Sequence, residues 1–250
     1  MTREKHFSLY KLLPNLVTIA SLCCGMSAIR LAMLDKWELS VTFLVLAAFL
    51  DGLDGRIARL LKATSNFGAQ LDSLSDFVCF GVAPAFVLYL WALHEIKGLG
   101  WALALFFAIC CCLRLARFNT SLMEEKKEKW QSHFFTGVPA PAGAMLALLP
   151  LVLTLQWGND WMEFIPLQQK WIVAIYLPII GILMVSRVPT YALKGLRVTH
   201  HYILPAMLLA AVIVVGCIVE PWASLVMIDV IYLTTLFFSY AQCQRMKKQE

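Results

Sequence analysis

Long apolar blocks constrain this chain more than any other feature of its sequence. Eight of them run at about 14–34, 40–62, 68–93, 97–118, 137–156, 169–187, 202–219 and 222–241. At about 1.5 Å of helix rise per residue, each is long enough to cross the roughly 30 Å of hydrocarbon in a bilayer. The chain is 60% hydrophobic and 15% charged, where a soluble domain is about half apolar and a quarter charged. The expected fold is an all-α integral membrane protein, a bundle of about eight transmembrane helices. No polar stretch is long enough for a separate soluble domain, so residues 1–250 read as a single membrane domain. Residues 1–13 precede the first block, and within them 3–13 predict a short interfacial helix before Pro14.

The basic residues orient the bundle. With a cytoplasmic amino terminus, one side collects 17 of the 21 Lys and Arg, and the other keeps only Arg30, Lys36, Lys97 and Lys170. That asymmetry predicts both termini in the cytoplasm. Basic residues beside anionic headgroups then account for the net charge of +5, and no nucleic-acid partner is expected. The first block is long and lacks a small-residue cleavage site, so it reads as a span rather than a signal peptide. The eight cysteines form no CxxC pair, and nearly all fall inside apolar blocks, where a thiol acts as a small hydrophobe. The many exposed spans invite a homodimer.

Four aspartates interrupt the apolar pattern. Asp51, Asp54, Asp72 and Asp76 lie in or beside two consecutive spans, and a carboxylate inside a span is costly enough to mark function. At about 100° per residue, Asp51, Asp54, Gly55, Ala58 and Arg59 share an arc of roughly 140°. Gly68, Asp72 and Asp76 form a stripe on the next helix. The short link near 62–67 makes the two helices antiparallel neighbours, so the stripes can face each other near the cytoplasmic end. Carboxylates this close cannot all remain ionised without cations, and oxygen-only ligands suit Mg²⁺ or Mn²⁺. Two ions would balance the four charges and could clamp a pyrophosphate. Gly55 and Ala58 keep that face low, and Arg59 suits a phosphate. The plainer alternative is that the aspartates cap helices or pair with Arg56, Arg59 or Lys62.

The full spacing is Asp51-x2-Asp54-Gly55-x2-Ala58-Arg59-x8-Gly68-x3-Asp72-x3-Asp76. It resembles the complete signature of the CDP-alcohol phosphotransferase family, whose members displace CMP from a CDP-linked lipid or alcohol. The resemblance implies a six-helix catalytic core, here 14–187, with 202–241 an added helix pair. It implies that Asp51, Asp54 and Asp72 bind one metal ion, and Asp72 and Asp76 a second. Gly55, Ala58 and Arg59 would hold the diphosphate, and Asp76 would take the proton of the acceptor hydroxyl. The family further suggests Asn15, Thr18, Ser65 and Gly68 around the CDP-diacylglycerol.

Three other stretches narrow the likeness. Leu13–Thr18 opens the first span, Arg114-Leu115-Ala116-Arg117-Phe118-Asn119 closes the fourth, and the Gly137-Val138-Pro139-Ala140-Pro141 turn opens the fifth. Together they resemble the bacterial membrane-embedded phosphatidylserine synthases. That likeness implies L-serine as acceptor, CDP-diacylglycerol as donor, an active site facing the cytoplasm, and residence in the bacterial inner membrane. Arg114, Arg117 and Asn119 would then receive serine, because a guanidinium offers a carboxylate a bidentate fork. The aspartate signature is equally compatible with choline, glycerol 3-phosphate or inositol as acceptor. An ion- or proton-coupled transporter is the alternative of another class, although its carboxylates belong near the midplane.

Overall fold

The computed structural model describes residues 12–123, 134–158, 169–186, 189–191, 207–208, 211 and 215–247. Most of the proposed interfacial helix at 1–13 and of the apolar block at 202–219 lie outside them. The described elements are α1 (Leu13–Ala32), α2 (Trp37–Leu60), α3 (Asn66–Asp76), a π-helical segment (Phe77–Val82), α4 (Ala83–Trp91), a 3₁₀ turn (Leu93–Ile96), α5 (Lys97–Met123), β1 (Phe134–Thr136), α6 (Ala140–Trp157), α7 (Gln169–Val185), β2 (Pro189–Tyr191) and α8 (Pro221–Lys247). The chain divides into two compact units, Met1–Leu115 and Ala116–Glu250.

Among the described residues, four stretches are long and apolar enough to cross a membrane: Leu13–Ala32, Asn66–Trp91, Leu93–Thr120 and Ala140–Trp157. They coincide with the first, third, fourth and fifth apolar blocks, and the protein is an integral membrane protein. Helix α2 is 24 residues long, but Asp51, Asp54, Arg56 and Arg59 crowd its C-terminal half. The apolar helices Gln169–Val185 and Pro221–Leu236 are shorter.

In the first unit, α1 buries Thr18, Ser21, Gly25, Ala28 and Ala32 along one face. Small residues at helical spacing let a neighbouring backbone approach, which is how helices associate in lipid. Helix α2 uses that closeness. Ser40 donates its hydroxyl to the Ala28 carbonyl at 2.9 Å, and Ser21 donates to the Ala47 carbonyl at 2.9 Å. Larger side chains such as Leu16, Ile19 and Met26 stay on the exposed face of α1.

The turn from α2 into α3 is built by backbone bonds. The Ala63 N–H donates to the Ala58 carbonyl at 2.9 Å, and the Lys62 N–H to the Arg59 carbonyl at 3.2 Å. This is a Schellman ending, and it requires the left-handed backbone seen at Lys62, where φ is 49°. Three residues on, Ser65 caps α3, its hydroxyl accepting from the Gly68 N–H at 3.0 Å. A tight helix ending followed at once by a helix cap folds α3 back along α2.

The helix from Asn66 to Trp91 loses α-helical register directly after Asp76. Pro84 has no N–H to offer the preceding turn, and its ring crowds the carbonyl four residues back. The chain accommodates it with the π-helical turn at Phe77–Val82, a widening often found at functional sites.

The second unit departs from the all-α expectation at a short pair of strands. β1 and β2 pair antiparallel, with Phe135 opposite Thr190. Three-residue strands carry too few alternations to show a period in sequence, and β1 runs directly into the Gly137 turn. A second departure concerns the cysteines. Cys79, Cys110 and Cys111 are buried, but Cys23, Cys112 and Cys217 are exposed. In a bilayer an apolar block has a lipid-facing side, so an apolar neighbourhood does not place a thiol in the protein core.

The proline inside α6 has local compensation. Pro150 cannot donate to the Leu146 carbonyl, and the Tyr176 hydroxyl of α7 donates to that carbonyl instead, at 2.9 Å. Asp229 of α8, 5% exposed, lies within electrostatic reach of Tyr176.

Candidate active site

The turn between α2 and α3 brings the two carboxylate stripes together. Asp51, Asp72 and Asp76 each present an oxygen, and these oxygens lie within 4.8 Å of one another. All three residues are half-buried. Carboxylates this close sit together comfortably only with a proton or a cation between them. The Asp76 Oδ1 atom is buried without a hydrogen-bond partner. Three converging carboxylates and one orphaned oxygen fit a hard divalent cation by the chemistry of the donors.

Asp54 stands beside this group rather than in it. It is buried, and its Oδ2 accepts the Thr18 hydroxyl at 2.6 Å. Its charge still bears on Asp72, and both line a groove next to the trio. The groove has three walls: Pro14, Asn15 and Thr18 from α1; Asp54, Gly55 and Ala58 from α2; and Ala63 to Ser65 with Gly68, Ala69 and Asp72 from the turn and α3. Asn15, Thr18, Gly55, Ala58, Ser65 and Gly68 were all expected near the donor, and all line this groove.

The two glycines serve it differently. A Cβ at Gly55 would meet nothing within 4 Å, so it would project into open space. A Cβ at Gly68 would lie 3.0 Å from Asn15 Oδ1 and 3.2 Å from Ser65 Oγ. Gly55 leaves room for a ligand, whereas Gly68 lets the Asn15 amide and the Ser65 cap close the far wall. Arg59 is not in the lining. It is exposed, and its Nε donates to the Gly55 carbonyl one turn back at 3.0 Å.

The RLARFN segment divides. Arg114, half-buried on α5, acts electrostatically on Asp76. Arg117 is engaged elsewhere in its own unit: its Nη1 donates to the Val185 carbonyl at 2.6 Å and its Nη2 to the Ser186 carbonyl at 3.1 Å. These carbonyls end α7, where a helix leaves acceptors unpaired. Gly137 packs against the same helix end with φ of 80°. A Cβ there would lie 2.6 Å from the Met184 carbonyl oxygen and 3.0 Å from Arg117 Nη2. Two motifs far apart in sequence therefore meet at one helix terminus. Asn119 is half-buried on α5.

Sequence reasoning missed Ser21, Ser75 and Cys79, which tie the chain on either side of Asp76 to α1. Ser75 donates to the Thr18 carbonyl at 3.3 Å, and the Cys79 thiol to the Ser21 carbonyl at 3.4 Å. The signal was present, since Thr18, Ser21, Ser75 and Cys79 recur at helical spacing inside apolar blocks.

The CDP-alcohol phosphatidyltransferase family model matches residues 11–236. A CDP-diacylglycerol–serine O-phosphatidyltransferase of Mycobacterium leprae (strain TN) is 35% identical over 92% of this chain and 74% of its own length. Proteins of the same name from Helicobacter pylori (strain 26695) and Methanocaldococcus jannaschii are 34% and 36% identical. They cover 71% and 75% of this chain, and 70% and 80% of their own lengths. The family match spans both compact units and takes in every residue of the aspartate groove, so this chain belongs to the CDP-alcohol phosphatidyltransferase family.

Proposed function

We propose that this protein transfers the phosphatidyl group of CDP-diacylglycerol to the hydroxyl of L-serine, giving phosphatidylserine and CMP. The observation that carries the reading is the placing of Asp76. It joins Asp51 and Asp72 at one end of a groove walled by Gly55 and Ala58, and it lies within electrostatic reach of Arg114. The relatives' shared name supports serine as acceptor.

In this reading the donor's diphosphate lies against the low face of Gly55 and Ala58. Asn15 and Thr18 lie near the nucleotide, Thr18 also holding Asp54 by its hydroxyl, and Ser65 lies near the phosphate. Arg59 reaches the phosphates by leaving the Gly55 carbonyl. Asp51, Asp54, Asp72 and Asp76 would hold Mg²⁺ or Mn²⁺, two ions when the site is full, which would offset the charge of the diphosphate and of departing CMP. Serine enters with its carboxylate toward Arg114, with Asn119 on the same helix as a further polar contact. Arg117 supports that segment by fixing the end of α7. Asp76 takes the hydroxyl proton, and the serine oxygen attacks the phosphorus bearing diacylglycerol. The bond from that phosphorus to the CMP oxygen breaks as the new one forms.

The basic-residue asymmetry supports eight spans, cytoplasmic termini and a site facing the cytoplasm of a bacterial inner membrane. The family match over 11–236 supports one membrane domain, and the apolar blocks support dividing it into a core at 14–187 and a further pair at 202–241. An acceptor screen tests the chemistry: purified protein receives CDP-diacylglycerol with labelled serine, choline, glycerol 3-phosphate or inositol in turn. Serine is expected to enter lipid with release of CMP. Use of choline with serine ignored would overturn the choice of acceptor.

A further inference from the structure

An apolar groove begins where the carboxylates end. Phe77, the residue after Asp76, opens it, and Val82, Ala85 and Phe86 continue the same wall. The opposite wall is one stripe of α5, in which Ala104 and Ala108 keep the floor low between Leu105 and Ile109. Only apolar side chains line the groove, and it encloses about 320 Å³, within the roughly 300–1,000 Å³ of ligand pockets.

Its two ends differ. At one, Cys112 and Leu113 immediately precede Arg114, whose charge bears on Asp76. At the other, Trp101 stands edge-on to Phe86, with ring centroids 5.5 Å apart at 86°, and to Tyr89, at 5.3 Å and 75°. From Leu113 to Trp101 the helix rises about 18 Å, against about 15 Å for half of a 30 Å hydrocarbon core. The groove therefore starts beside the reacting groups and stops about one leaflet deeper, against an aromatic wall.

We propose that this groove holds one fatty acyl chain of the lipid donor and that Trp101 sets the chain length it accepts. The proposal rests on the phosphatidyl transfer described above. An acyl chain suits the groove because it needs no hydrogen bonds, matches the depth, and is tied to a headgroup that belongs at the polar end. A protein segment would bring backbone N–H and C=O groups that nothing in this lining could satisfy.

The test compares serine-dependent CMP release with dioctanoyl, dipalmitoyl and diarachidoyl donors in mixed micelles. Ala104→Leu raises the floor near the far end. It is expected to lower kcat/KM for the dipalmitoyl donor about tenfold while leaving the dioctanoyl donor within about twofold, the scale on which apolar pockets sense added methylenes. Trp101→Ala opens the end wall and is expected to raise diarachidoyl turnover relative to dipalmitoyl. An equal change for all donors, in variants that keep the wild-type melting temperature, would overturn the proposal. A donor with a diazirine at its chain terminus supplies a second measurement on unmodified protein. Labelling centred on Trp101, Ala104 and Phe86, and competed by unlabelled donor, is expected. Labelling spread over the exposed face of α1, around Met26, would overturn the groove. If the wild type released no CMP with serine at any chain length, the transfer reading would fail, and the labelling pattern would judge the groove alone.

Discussion

At the scale of single residues, the open space over Gly55 makes a testable prediction. Gly55 lies within α2, and alanine there would gain helix stability of about 0.5–1 kcal/mol because its Cβ meets no protein atom. Gly55→Ala should therefore melt no lower than wild type yet raise KM for CDP-diacylglycerol, since the methyl occupies space proposed for the diphosphate. An unchanged KM would remove the diphosphate from that wall. Asp76 is a different case. Asp76→Asn keeps the size of the side chain but cannot accept the serine proton. It should lower kcat by about 10²–10⁴-fold, the usual contribution of a positioned base. Full activity of this variant would dismiss Asp76 as the base. The aspartate roster was legible in sequence because charge inside an apolar block has few structural explanations. The separation of Asp54 from the other three was not legible, because it depends on the Thr18 hydroxyl, which arrives from another helix.

At the scale of elements, hydrophobic length revealed where helices run but not how they end or break. The Schellman turn places Lys62, not glycine, in left-handed backbone, so the usual glycine signal for that ending was absent. The π-helical turn after Asp76 had only Pro84 to announce it, and a proline also fits a simple kink. Compensation across helices was equally hidden, and the α6–α7 contact shows why it matters. With Pro150 in α6, the Leu146 carbonyl depends on the Tyr176 hydroxyl. Tyr176→Phe should destabilise the protein by about 1–3 kcal/mol, the cost of a buried polar group left unpaired. Pro150→Ala restores the missing N–H, so Tyr176→Phe should cost markedly less in that background. Equal costs with and without Pro150, read by thermal melting in detergent, would show that the hydroxyl serves some other partner. Arg117 gives a parallel case at the end of α7. Lysine presents a single ammonium and cannot reproduce the two-pronged contact with Val185 and Ser186.

At the scale of the whole molecule, topology and chemistry constrain each other. The basic residues Arg56, Arg59 and Lys62 follow Asp51 and Asp54 on α2 and its turn, so the end of α2 that carries the carboxylates is also an end that the positive-inside rule assigns to the cytoplasm. Serine and CMP are soluble in water, and a metal held by carboxylates near that surface would exchange with the same compartment. Sealed vesicles of known orientation therefore test sidedness and metal dependence together. In inverted inner-membrane vesicles, EDTA added outside should abolish serine incorporation into lipid, and excess Mg²⁺ or Mn²⁺ should restore it. In right-side-out vesicles loaded with serine, external EDTA should have no effect until the membrane is permeabilised. Inhibition of intact right-side-out vesicles would place the carboxylates on the opposite face and reverse the orientation drawn from the basic residues. Resistance to EDTA in both preparations, even after permeabilisation and prolonged incubation, would instead count against exchangeable metal at Asp51, Asp72 and Asp76, whichever way the helices run.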